Sequence, residues 1–95
     1  MEMKIIIDHH TRERAEERGT NEEEIRDVIE NGIPISAKYG RTAKVKVYSY
    51  KQMRLGILYE QKRVEVVYIE EKDITTTVTV YVFYGKWEVE NANTI

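Results

Sequence analysis

The stretch from Ile74 to Tyr84 limits the possible folds more than any other part of the chain. Ile74, Thr76, Val78, Val80 and Val82 alternate with Thr75, Thr77, Thr79, Tyr81 and Phe83. β-Branched and aromatic side chains at period two specify a strand. An open edge of this length and apolarity would template aggregation, so the strand is expected at a central position in a sheet. With 95 residues there is room for one thin core, so the rest of the chain must supply neighbouring strands and a covering layer.

The neighbouring strands are read upstream. Ala43, Val45 and Val47 alternate with Lys44, Lys46, Tyr48 and Tyr50, giving one small apolar face and one basic, aromatic face. Met53 to Glu60 reads as the next strand and Val64 to Ile69 as the one after. Lys51-Gln52, Gln61-Lys62-Arg63 and Glu70 to Asp73 read as turns.

The first third is helical. Asp8 is placed to cap a polar helix from about His9 to Arg18, and Gly19 to end it in a left-handed conformation. Thr20-Asn21-Glu22-Glu23 has capping-box spacing, and Ile25, Val28 and Ile29 follow at helical spacing to about Asn31, where Gly32 and Pro34 stop the pattern. Lys4 to Ile7 reads as a strand or as the lead-in to the first helix. The expected plan is an α+β domain over residues 1–88, with two N-terminal helices on one face of a four-stranded, mainly antiparallel sheet and a polar tail at 89–95.

Charge is unevenly placed. Residues 1–33 hold ten acids and five bases, residues 34–59 six bases and no acid, and residues 60–95 seven acids and four bases. The basic middle segment invites a polyanion, or is neutralised internally by the acidic second helix; both readings stay open. There is no cysteine, which removes disulfides, thiolate metal sites and a cysteine nucleophile. No apolar run approaches a membrane span or a signal peptide, and a cytoplasmic location is expected. Adjacent Asp8, His9 and His10 diverge in direction on a helix, so no metal or other cofactor is expected.

His10, Arg14 and Arg18 are four residues apart and form one stripe on the first helix. The pattern H-x-x-x-R-x-x-x-R-G over residues 10–19, the capped second helix and the closing Val78-Thr79-Val80-Tyr81 resemble a family of small bacterial and archaeal domains of unknown function. That family is grouped with the RelE-like ribonuclease toxins in the wider barnase, EndoU and colicin superfamily. The likeness covers about residues 8–84, with Ala15 and Thr20 standing where the family more often has larger apolar residues.

The resemblance implies metal-independent RNA cleavage by attack of a ribose 2′-hydroxyl on the adjacent phosphate. His10 would then be base or acid and Arg14 a phosphate clamp. Arg18 would be a second clamp or a strut to the sheet, and Thr79 or Tyr81 a hydroxyl donor. Lys44, Lys46, Tyr48 and Tyr50 would track and stack single-stranded RNA, and an antitoxin would be a natural protein partner. The alternative is a non-catalytic binding or oligomerisation module, including a symmetric dimer through Ile74 to Tyr84 if that strand lies at an edge. The nearly core-free first helix is expected to dock on the basic segment 34–59, and its rotation there to decide between the two readings.

Overall fold

The computed structural model describes residues 4–87, so the expected tail at 89–95 lies outside the described residues. Helix α1 (His9–Arg18) and helix α2 (Glu22–Asn31) cover one face of a five-stranded mixed sheet. Its strands are β1 (Lys4–Ile6), β2 (Ile33–Ile35), β3 (Thr42–Arg54), β4 (Ile57–Glu71) and β5 (Ile74–Gly85), in the order β1-β5-β4-β3-β2. The α+β class and the two helices are as expected. The strand plan is not: there are five strands rather than four, and β1 runs parallel to β5. β5 is interior as expected, but β4 is the middle strand.

The three strands expected between residues 43 and 69 are two long ones. The turn falls at Leu55-Gly56, where both residues have positive φ (52° and 83°), as a tight hairpin matching the right-handed twist of its strands requires. Lys51-Gln52 is not a turn. The pairing slips between Ser49 and Gln52, and Lys51 takes φ 52°, so this polar pair marks a bulge within β3. Gln61-Lys62-Arg63 continues β4, because alternation persists there and Lys62 points toward the helices.

Both helices begin on side-chain caps. Asp8 accepts a bond from the Thr11 amide at 3.0 Å, and Asn21 accepts from the Glu24 amide at 2.8 Å. The second cap is one residue later than the box placed on Thr20. Thr20 instead donates its hydroxyl to the Glu24 carboxylate at 2.7 Å.

Helix α2 lays Ile25, Val28 and Ile29 over Val64, Val66, Tyr68 and Val80, and Ile7 and Ala15 complete this core. Helix α1, whose buried residues are Thr11 and Ala15, packs along β5 rather than on the basic segment. It docks there because polar anchors replace a hydrophobic stripe. The Asp8 amide donates to Thr77 Oγ1 at 3.1 Å, and Arg18 donates to the Val80 carbonyl at 2.7 Å. Among the described residues no helix is long and apolar enough to cross a membrane.

Candidate functional site

The start of α1 is fixed by Asp8. Burial alone would push its carboxyl up, but hydrogen bonding from Thr11 and Thr77, with nearby His10 adding to it, holds it below the ordinary range. His10 itself stands exposed on the first turn. Arg14 is paired with Glu17 at 3.0 Å. Arg18 lies about 12 Å along the helix axis from His10, at 1.5 Å per residue. Its guanidinium sits 5.2 Å from the Tyr81 ring while holding the Val80 carbonyl. Arg18 and Tyr81 are therefore brought together, and Arg18 acts as a strut from helix to sheet. His10 and Arg14 are not part of that contact.

The other end of α1 is held by residues the sequence reading passed over. Three sheet side chains take the carbonyls that the last turn leaves without partners. Arg54 donates to Glu17 O at 3.1 Å, Tyr84 to Arg18 O at 2.6 Å and Lys62 to Gly19 O at 2.8 Å. Lys62 is buried and also pairs with Glu24 at 2.8 Å. Tyr84 packs against Tyr50 and Tyr59, with ring centroids 5.1 and 5.6 Å away, and Arg54 lies 4.7 Å from its ring centre. Burial raises the Tyr84 hydroxyl pKa, with Arg54 opposing it in part. At Gly19 φ is 94°, and a Cβ there would collide with the Tyr84 hydroxyl. The sequence signal for this cluster was faint, because Lys62 stood in an expected turn and Arg54 and Tyr84 stood near strand ends.

The residues expected to bind RNA face α2. Lys44 donates to Ile29 O at 2.8 Å, Lys46 pairs with Asp27 at 2.6 Å, and the Tyr48 hydroxyl donates to Asp27 at 2.5 Å. The Lys46 bond, then those of Tyr48 and Asn31, lower the Asp27 carboxyl to about 2. Burial, then the bond to Asp27, raises Tyr48. Of the two readings of the basic segment, internal neutralisation by the second helix describes Lys46, while Lys44 is tied to a carbonyl in the last turn of that helix. Tyr50 belongs to the tyrosine cluster around Tyr84.

If Lys44, Lys46 and Tyr48 face the helices, Ala43, Val45 and Val47 face away. Register carries that assignment across the sheet. Val47, Arg63 and Phe83 form one cross-strand row, and Val45, Glu65 and Tyr81 form the next. Val67 and Thr79 share this side, as do Ile33 and Ile35 of β2. Apart from the β3–β4 hairpin tip and the loop before β3, every exposed large apolar residue among the described ones lies on this face: Ile6, Ile33, Ile69, Ile74, Tyr81 and Phe83. No described helix covers it.

No family model, curated protein or solved structure matches this chain. Among the described residues no cluster of three or more His, Asp or Glu side chains is placed to hold a metal.

Proposed function

We propose that this chain is a RelE-like module that works by binding, in preference to the ribonuclease reading that its opening helix suggests. One observation carries the proposal: the sheet face turned away from the described helices leaves Ile6, Ile33, Ile69, Ile74, Tyr81 and Phe83 exposed, while the basic, aromatic face is spent on α2. Monomeric proteins rarely leave large contiguous apolar patches in water, and those that do use them for contact. The geometry around His10 points the same way. A general base needs fixed cations about the phosphate it serves. Here His10 is exposed on the first turn, Arg14 is committed to Glu17, and Arg18 to the Val80 carbonyl.

The deciding experiment is incubation of labelled single-stranded RNA with wild-type protein, His10→Ala and Arg14→Ala. The expected result is the same background for all three. Cleavage by wild type that is lost in His10→Ala would overturn the binding reading and restore the ribonuclease one.

A further inference from the structure

The face turned away from the helices has an internal symmetry. Its two central rows, Val47–Arg63–Phe83 and Val45–Glu65–Tyr81, each run from aliphatic through charged to aromatic, and their charges are opposite. Arg63 and Glu65 lie side by side on the middle strand, 3.0 Å apart and partly buried. The other charged residues that alternation puts on this face, Lys4 and Glu71, stand at the β1 and β4 ends, toward the rim.

We infer that the occupant of this face is a second copy of the chain, packed sheet on sheet about a two-fold axis that crosses β4 at right angles near Val64. The inference rests on the binding reading and names its partner. Rotation about such an axis exchanges the two rows. Arg63 of each copy then faces Glu65 of the other, Phe83 faces Tyr81, and Val47 faces Val45. Isologous contacts need a patch complementary to itself, and this pairing supplies one in charge, shape and residue class together. Face-to-face sheets pack about 10 Å apart with strands nearly aligned, a spacing that the interdigitated side chains of β3, β4 and β5 fill.

Size fits as well. Three long strands and two short ones, at about 4.8 Å between strands and about 3.3 Å per residue, span roughly 700 Å² in projection. Side-chain relief raises the accessible area toward the roughly 800 Å² per partner of a standard interface. A nucleic acid is a poor occupant, because Arg63, the cation on the middle strand, is already balanced by Glu65, and Arg18 at the Tyr81 edge is committed to the Val80 carbonyl.

Sedimentation velocity from dilute to concentrated solution tests the inference, with circular dichroism confirming that each variant is folded. Wild type is expected to sediment as a dimer. Arg63→Glu and Glu65→Arg each place like charges face to face and should raise the dimer dissociation constant by about tenfold or more. An equimolar mixture of those two variants should re-form dimers, since the acidic face of one then meets the basic face of the other. A wild-type monomer at every concentration, or a dimer indifferent to both reversals, would overturn the inference. Should wild type prove monomeric, binding of the apolar dye ANS that is lost in Phe83→Glu would leave the binding reading standing with a foreign partner. Failure of the binding reading itself shows separately, as His10-dependent RNA cleavage.

Discussion

The two faces of β3 reverse the usual division of labour. The side under α2 carries Lys44, Lys46 and Tyr48, whereas the side turned away from the helices carries Ala43, Val45 and Val47. A half-solvated antiparallel sheet ordinarily puts its apolar side chains under the helices and its polar ones in water. Here the covered side is held in part by hydrogen bonds aimed at the helices: side chains of β3 reach Asp27 and the Ile29 carbonyl of α2, and Lys62 of β4 reaches Glu24 of α2 and the Gly19 carbonyl at the end of α1. Burial of polar groups is tolerable when each finds a partner, and these do. The comparison separates two roles: one face holds the domain together through the helices, and the other carries most of the exposed apolar side chains.

Substitutions on the covered face should therefore cost stability in dilute solution, and those on the bare face should not. The largest effect is expected from Ile25→Ala, which removes a fully buried side chain from the centre of the core. Urea unfolding should report a loss of about 3 kcal/mol. Gly19→Ala follows at about 2 kcal/mol, since a Cβ in the left-handed conformation would also push Tyr84 away from its carbonyl.

Asp27→Asn should cost about 1–2 kcal/mol at neutral pH by weakening charge-assisted bonds from Lys46 and Tyr48. Its pH dependence has a definite sign. The Asp27 carboxyl is lowered from 3.8 to about 2 in the folded protein, so its contribution is complete above pH 4 and disappears as pH falls through about 2. Unfolding curves of wild type and Asp27→Asn should converge over that window; a constant gap would show that Asp27 acts through packing instead. The smallest effect is expected from Phe83→Ser, within about 0.5 kcal/mol for the isolated chain. A loss of several kcal/mol there would break the division between the faces.

Much of this division was written in the alternation of β3, but only in part. Period two sorts residues into two sets without saying which set meets the helices, and a slip of one residue exchanges them. Helix ends were clearer, because Asp8 and Gly19 act within their own turn. The Leu55-Gly56 turn escaped notice because leucine seldom takes positive φ, while the polar pair Lys51-Gln52 looked more like a turn than a bulge. β1 and β2, at three residues each, are strands only by virtue of the partners they lie beside. The expected stripe of His10, Arg14 and Arg18 is real on the helix, yet its members end in different surroundings. Spacing along a helix fixes direction from the axis and says nothing of what waits there.

The capping of α1 by Arg54, Lys62 and Tyr84 bears on the order in which the chain assembles. These donors lie 37 to 66 positions from the carbonyls they reach. Nine polar residues and one buried alanine have little reason to stay helical alone, and a helix so short is marginal in water. Helix α1 should then be among the last elements to form, after β4 and β5 have paired and brought their side chains into place. Pulsed hydrogen exchange during refolding would show protection of the Ala15 to Gly19 amides lagging behind Val64 to Val67, so the first element in the sequence would be late in time.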